Sequence, residues 1–412
     1  LWAHAKAQRA APLWLSGDAH EAARHHYNPQ SLANALWALT RLGLPLQEAD
    51  ITAAASMQGQ FRPQELSSAV WAIGGQEDPA LHFFDTVKLP CPTQLEDQHL
   101  ANILWAFGSA SVRRPDVLES LAVEVCRRTG FSLQAVANIA WAYATLRVQC
   151  HALTSHLRDL AERHARTATT SEDTALSLLG LLWATGPHAS VEETLRRIGA
   201  SLDLSSSGVA VMPKNLPDGP RIVLMTPGAA VLFKPPGWEV DTLCGEVVAG
   251  AKALSSFLAE HADLSSVVRS PQHGHGFVHR LDTPSSGLVL QATSYGGLYN
   301  LRIQRELGQM QREYVVLCHG WVPQGRTVSA RIRKRRGGSS EACLHGRPAC
   351  TRLKVLAQLK LGETPLTLVA VTILSGRTHQ IRCHLNHIGH SVVCDWRYGT
   401  GGDAAWCPRN FL

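Results

Sequence analysis

The sequence lacks the marks of a membrane, secreted or zinc-ribbon protein. None of its 412 residues belongs to an apolar run of the ~18 needed to cross a bilayer. It has ten cysteines but no C-x-x-C pair; they are scattered from Cys91 to Cys407. In a long chain without a secretory signature, that scatter points to free, mostly buried thiols in a reducing compartment. There is no H-E-x-x-H motif and no signal peptide. The chain opens on "LWAHAKAQ" with no initiator Met, so a truncated start is expected, with any targeting segment lost. Charge is sparse at 17% against 45% hydrophobic residues, which excludes a disordered chain and leaves room for two or three domains.

What charge there is lies unevenly. Residues 1–200 carry 16 Lys+Arg and 19 Asp+Glu, a net of −3. Residues 201–412 carry 23 and 14, a net of +9, so the second half is the candidate for binding a polyanion.

The first half repeats. Trp2, Trp37, Trp71, Trp105, Trp141 and Trp183 are spaced 35, 34, 34, 36 and 42 residues apart, within "SLANALWALTRLG", "ELSSAVWAIGGQ", "HLANILWAFGSA" and "AVANIAWAYATL". A period in the mid-thirties marks stacked helical pairs. Leu32, Ala35, Leu36 and Leu39 fall at helical spacing, and Pro29 and Pro63 stand where proline opens a helix. A fifth, more apolar copy, "TALSLLGLLWATG", is placed to close the stack. The "LANxLWAxA" text resembles octotricopeptide-type repeats of organelle RNA-binding proteins over roughly residues 1–200. The tryptophan stripe nevertheless reads as core packing rather than base stacking. Asn34, Asn102 and Asn138, three residues before each Trp, read as inter-repeat hydrogen-bonding groups.

Residues 201–220 are rich in Ser, Gly and Pro and read as a linker. Beyond them "RIVLM", "AAVLFKPPGW", "GLVLQAT", "REYVVLCHGWV" and "LTLVAVTIL" are strand-like, with a turn at Pro235-Pro236-Gly237. "EVVAGAKALSSFLAEHA", "YNLRIQRELGQMQ" and "THQIRCHLNHIG" are helix-like, the last stopped by Gly389. Strands and helices in irregular order predict a mixed α/β or α+β domain.

Four segments of this basic half carry chemistry-bearing residues. "VLFKPPGWEVDT" alone would be an ordinary strand and turn. "HRLDTPSSGL" puts one carboxylate, Asp282, after His279 and Arg280 and on a turn before a strand; a turn aspartate bonding its own backbone and a carboxylate aimed into a cleft both fit. "REYVVLCHG" starts a strand with Tyr314. "SGRTHQIRCHLNHIGH" holds Arg377, His379, Arg382, His384, His387 and His390. The last three imidazoles raise a zinc site, but on a helix the i+6 ring turns well away from the first, and no paired ligand motif supports it.

Together these segments resemble the RluA family of pseudouridine synthases across about 221–412. "HRLDTPSSGL" is similar to the family's H-R-L-D-x-x-T-S-G-L, with Ser285 for Thr. "REYVVLCHG" follows K-x-Y-x-x-x-x-x-G with Arg312 for Lys, "GRPACTRLKVL" follows a G-K-x-A-x-T segment, and "GRTHQIRCHLNHIGHSVVCDWRYG" follows its motif almost throughout. The repeat period predicts an N-terminal α-helical repeat solenoid over 1–200, and the resemblance implies a pseudouridine synthase α+β core over 221–412 with a mainly antiparallel sheet. It implies isomerisation of uridine to pseudouridine in RNA without a cofactor or metal. Asp282 would be the catalytic aspartate, Tyr314 the tyrosine that contacts the base, and Arg377 the arginine paired with the aspartate. Arg280 would help flip the nucleotide. His279, Lys234 and Arg382 would join it in binding RNA. The basic run "RIRKRRGG", with Arg333, Lys334, Arg335 and Arg336, reads from its charge either as a loop that binds the RNA backbone or as a solvated charged loop.

The chemistry needs such residues. The C1′–N1 bond breaks, the uracil turns and C5 bonds C1′; a carboxylate attacks C1′ or removes a sugar proton, and a guanidinium beside it holds the charge in a partly dry pocket. The base leaves its stack at a cost of roughly a few kcal/mol, which phosphate contacts offset. Two departures stand out. The helical array replaces the small ribosomal-protein-like domain usual in the family, and the chain stops at "PRNFL", where a further strand is expected. The competing readings are an inactive RNA-binding scaffold built on the repeats, and the zinc enzyme. The expected partner is RNA (ribosomal, transfer or an organellar transcript) and no membrane. The compartment expected by analogy with the repeats is a mitochondrion or chloroplast.

Overall fold

The computed structural model describes residues 27–76, 79–204, 219–241, 252–261, 266–335, 338–399, 407 and 409–412. Trp2, Cys244, Arg336, linker residues 205–218 and residues 246–251 of the helix-like stretch lie outside them. The chain divides into two compact units, Leu1–His188 and Ala189–Leu412.

The first unit is all helical among the described residues: α1 Pro29–Arg41, α2 Glu48–Met57, α3 Pro63–Gly74, α4 Leu81–Thr86, α5 Asp97–Ala110, α6 Pro115–Cys126, α7 Leu133–Leu146, α8 His151–Thr167 and α9 Glu172–Thr185. Pro29 and Pro63 sit in the first turn of α1 and α3, where the missing N–H costs nothing. The tryptophan-bearing helices α1, α3, α5, α7 and α9 pack one on the next. The recurring small residues after each Trp explain how close they come. A Cβ on Gly74 would lie 2.7 Å from that of Ala106, and one on Gly108 2.9 Å from the Ala142 Cα. Leu32, Leu36 and Leu39 and their counterparts form the buried core.

The tryptophans do not. Trp37, Trp71, Trp105 and Trp141 are half-buried, and the last three stack face to face, with ring centroids 5.7 Å apart for Trp71–Trp105 and 6.4 Å for Trp105–Trp141. Their helical phase places them beside the aliphatic stripe rather than inside it, so they form an indole ladder along the stacked helices. Two of the asparagines also do something else than expected. Asn34 is exposed, and Asn102 accepts from Gln98 Nε2 of its own helix at 2.8 Å. Among the bonds between repeats, the Thr40 hydroxyl donates to the Ala72 carbonyl, Gln76 Nε2 donates to that hydroxyl at 2.7 Å, and Arg128 NH1 donates to the Leu95 carbonyl at 2.6 Å.

The second unit begins with a helix, α10 Ala189–Leu204, which runs through the position 200 that the repeat pattern marks as the array's end. It packs on α13 below, and its Asp203 carboxylate accepts the Tyr295 and Gly296 N–H groups at 2.7 and 2.8 Å. Then come β1 Arg221–Thr226, β2 Ala229–Lys234, β3 Trp238–Glu239, β4 Lys252–Ala253, α11 Leu254–His261, α12 Ser266–Arg269, β5 Gly287–Ala292 and α13 Tyr295–Glu306. The last part is β6 Glu313–His319, β7 Thr327–Val328, β8 Ile332–Lys334, β9 Ser340–Ala342, β10 Thr351–Leu361, β11 Thr364–Ile373 and α14 Gln380–His387. Two sheets dominate, ordered β1-β2-β5 and β6-β11-β10-β7, and every pairing in them is antiparallel. This is an α+β fold with a mainly antiparallel sheet. Leu232, Val289, Phe257, Phe277 and Leu298 fill one core, and Val316, Val369, Val371, Ile381 and Leu385 the other. Gly389, at φ 81°, ends α14 as its position in the sequence suggested. The described cysteines are free thiols. No helix among the described residues is long and apolar enough to cross a membrane.

Candidate active site

The loop between Phe277 and β5 carries Asp282, and its shape is imposed from several sides. Ser285 N–H donates to the Asp282 carbonyl at 3.0 Å, closing a turn around Thr283-Pro284. Gly237 N–H donates to the Thr283 carbonyl at 2.8 Å, which ties the Pro235-Pro236-Gly237 turn to the same loop. Gly287 leaves the turn at φ 146°, a conformation open to glycine and strained for other residues, and β5 starts there opposite Lys234.

Lys234 and His279 hold this loop rather than face solvent. Lys234 is 0% exposed, and its Nζ donates to the carbonyls of Ser285 (2.6 Å), Trp238 (2.8 Å), Pro235 (3.2 Å) and Thr283 (3.3 Å). Burial lowers its pKa to about 8, although the nearby Asp282 charge pulls the other way. An ammonium encircled by four carbonyls cannot also take a phosphate, so its expected RNA contact is withdrawn. His279 Nε2 accepts the Leu290 N–H at 3.0 Å, and burial, aided by the charges of Arg312 and Arg305, pushes its pKa down to about 4. It is neutral at pH 7 with its acceptor nitrogen engaged, and it too serves the fold instead of binding phosphate.

The arginine paired with Asp282 is Arg382. Its NH1 donates to Asp282 Oδ2 at 2.8 Å, while Nε and NH2 take both oxygens of the buried Asp395 at 2.7 Å each. Burial alone would lower its pKa. The hydrogen bonds to Asp395 and the charges of Asp282 and Asp395 overcome this and raise it. The fork geometry of a guanidinium is what lets one side chain serve two carboxylates. Arg382 sits in the first turns of α14, so the helix aims it inward beside Ile381 and Leu385.

Arg377, expected to be that partner, is elsewhere. It precedes α14, and its Nε donates to the Pro348 carbonyl at 3.1 Å. Arg331 Nε reaches the Gly346 carbonyl at 2.6 Å, so both guanidiniums lie around the segment that carries Arg347. Burial, then the like charges of Arg347, Arg331 and Arg312, lower the Arg377 pKa to about 10. Sequence order could not separate two arginines five residues apart; only the helix start between them decides which one points at Asp282.

Tyr314 stands on β6 opposite Val371, half-buried. Burial raises its pKa, Arg312 opposes the rise, and the Asp282 carboxylate adds to it, which places phenol and carboxylate in one electrostatic neighbourhood. His379 completes the wall. It sits at φ 50°, the strained left-handed region, just before α14, with Nε2 3.8 Å from Asp282 Oδ2. Its Nδ1 is 3.1 Å from the Tyr398 hydroxyl, which also accepts the Ser340 N–H at 2.6 Å. Burial lowers its pKa; Asp282 opposes, and Arg382, Arg397 and Arg280 reinforce the fall. The Arg280 charge is thus felt at His379. Asp395, Tyr398 and His379 were missed as site residues; the signal was present in "THQIR" and "CDWRYG".

The basic run is partly spent inside the protein. Arg333 bonds Glu341 through Nε at 3.0 Å and NH2 at 2.6 Å, and Arg335 pairs with the same carboxylate. Lys334 is exposed. Two of the three imidazoles of the zinc reading are separately committed, His384 to the Thr351 hydroxyl (2.8 Å) and Ala330 carbonyl (2.9 Å), and His390 to the His319 carbonyl (2.9 Å), while His387 is exposed. Among the described residues no group of three such side chains lies close enough to hold a metal ion.

A carboxylate clamped by a buried guanidinium, with an imidazole at 3.8 Å and a phenol in its electrostatic reach, is the layout of a nucleophile or base. Residues 231–387 match the family model described as RNA pseudouridylate synthase. Ribosomal large subunit pseudouridine synthase C of Yersinia pestis is 36% identical over 127 residues, 30% of this chain and 38% of that protein. An uncharacterized RNA pseudouridine synthase of Chloroflexus aurantiacus is 33% identical over 188 residues, 45% of this chain and 54% of that protein. The chain thus spans between about two fifths and about half the length of these curated relatives. The solved Human RNA Pseudouridylate Synthase Domain Containing 1 aligns with TM-score 0.33 and 21% identity, over 46% of this chain and 73% of that one. The second half of the chain is thus similar to RNA pseudouridine synthases, with the family model matched over residues 231–387.

Proposed function

We propose that the chain isomerises uridine to pseudouridine in RNA, with Asp282 as the catalytic carboxylate. The observation that carries this reading is the Arg382–Asp282 pair, 2.8 Å long, held by the buried Asp395 and set beside Tyr314 inside the family-matching segment. Asp282 acts on the sugar at C1′ or removes a sugar proton, the C1′–N1 bond breaks, and the freed uracil turns to bond through C5, whose proton leaves. Tyr314 contacts the base. Arg280, and the guanidiniums around Arg377, meet the backbone phosphates and favour the flipped nucleotide. Large-subunit ribosomal RNA is the substrate we infer, from what the named relatives of Yersinia pestis and similar bacteria are called. The helical array takes the part of selecting the site, in an organelle.

The test is release of tritium from ribosomal RNA carrying tritium at uridine C5, since only C5 glycosylation expels it. Wild-type chain should release it and Asp282→Ala should not. Absence of release by the full-length wild type, on every RNA class tried, would defeat the proposal and leave an RNA-binding scaffold.

A further inference from the structure

The loop after the buried Asp395 carries a side chain that the reaction so far leaves unused. Asp395 has both oxygens on Arg382, and Arg382 reaches Asp282. The next residue, Trp396, is 71% exposed, the most exposed aromatic among the described residues. Single exposed aliphatics need no explanation, but this indole is backed and placed. The Arg397 guanidinium lies over its ring, 5.0 Å from the centroid, and is itself tied to the Gly338 carbonyl at 3.0 Å. The Arg397 and Tyr398 N–H groups both donate to Asp395 Oδ1, at 3.1 and 3.2 Å. The backbone that carries Trp396 is therefore anchored to the same carboxylate that fixes Arg382. Tyr398, two residues on, lies under the Arg382 guanidinium and against His379. The rigid floor of the loop is the wall of the active site, and its one protruding group is an indole with a cation on its face.

We propose that Trp396, backed by Arg397, is a stacking platform for an RNA base that flanks the reacting uridine. This rests on the reading of the site as a pseudouridine synthase centre. Flipping a nucleotide leaves its neighbours with one face unstacked. A π-surface fixed one residue from the catalytic ion-pair chain supplies a replacement face that accepts any base, and the guanidinium adds charge for the adjoining phosphate. Nothing in such a contact touches the sugar or the breaking bond, so it acts on binding and not on the chemical step.

The experiment compares wild type, Trp396→Ala, Trp396→Phe and Asp282→Ala as full-length chains. It measures filter binding to ribosomal RNA transcribed in vitro, and KM and kcat for tritium release from that RNA. Trp396→Ala should raise both Kd and KM about tenfold and leave kcat and the melting temperature unchanged. Trp396→Phe should restore most of the affinity. Asp282→Ala should bind like wild type while releasing nothing. Unchanged Kd and KM in Trp396→Ala would overturn the platform, and would turn the indole toward a protein partner. A fall in kcat alone would overturn it too. If wild type binds but releases no tritium while Trp396→Ala still binds more weakly, the synthase reading fails and the platform stands. Failure of wild type to bind RNA removes both.

Discussion

Replacing Arg382 by lysine, with Arg377→Lys in parallel, tests which guanidinium serves Asp282. Arg382 makes three charge-assisted bonds, two of 2.7 Å to Asp395 and one of 2.8 Å to Asp282. A lysine keeps the charge but has one nitrogen, which cannot bridge two carboxylates held by opposite sides of a planar fork. With Asp395 the more buried of the two, the ammonium settles there and the bond to Asp282 is the one lost. A hydrogen bond to a charged group contributes roughly 1.5–3 kcal/mol. Felt in the transition state, that is about a 10- to 150-fold loss of kcat at 1.36 kcal/mol per decade. Arg382→Ala removes the positive charge altogether and leaves a buried carboxylate unpaired, at a cost of about 3–5 kcal/mol in stability. Arg377→Lys touches neither carboxylate; its effect should fall on KM, with kcat within about threefold of wild type. The assay is tritium release from uridine-labelled RNA under single-turnover and steady-state conditions, with a thermal melt for each variant. The reasoning is refuted if Arg382→Lys keeps its kcat, or if Arg377→Lys loses as much.

Two further outcomes follow from the scaffold. Lys234 has a folded pKa of about 8 against 10.5 unperturbed, so between those values the unfolded chain binds the extra proton. Its contribution to stability is therefore fully present above pH 10.5, is lost as pH falls through about 8, and spans about 3 kcal/mol. Urea melts across pH 7–10.5 should show wild type gaining on Lys234→Met as pH rises; parallel curves would contradict the buried ammonium. The second concerns α10. Asp203 caps α13 through two N–H bonds, so Asp203→Ala should cost roughly 0.5–2 kcal/mol, and a chain starting at Ala189 should melt above one starting after Leu204. Equal melting of the two truncations would show that α10 does not stabilise the second unit.

The sequence alone determined the repeat, its period and its helical class, because a stripe recurring every mid-thirties residues admits little else. It also determined the strands and the α+β character of the second half, where alternating apolar runs such as "LTLVAVTIL" end at turn residues. The resemblance to RNA pseudouridine synthases was legible because the motifs that carry it occur in order in a linear text. What the text does not hold is direction. A basic residue near a motif can bind a phosphate, a carboxylate or a backbone carbonyl, and its composition is the same in all three cases. Lys234, His279 and Arg382 all read as RNA-binding cations. Tertiary structure turned Lys234 into a clamp of four carbonyls, His279 into a neutral acceptor, and Arg382 into the partner of Asp282 in place of Arg377. The physical reason lies in range. Helical and strand periodicity arise from contacts a few residues apart, which the sequence spells out. The Asp282–Arg382 pair spans a hundred residues of chain, and whether a guanidinium reaches it depends on where α14 begins and on which face it buries. The same holds for the tryptophans: their spacing was in the sequence, but their place beside the core, stacked on one another, came only from the way successive helices meet at Gly74 and Gly108.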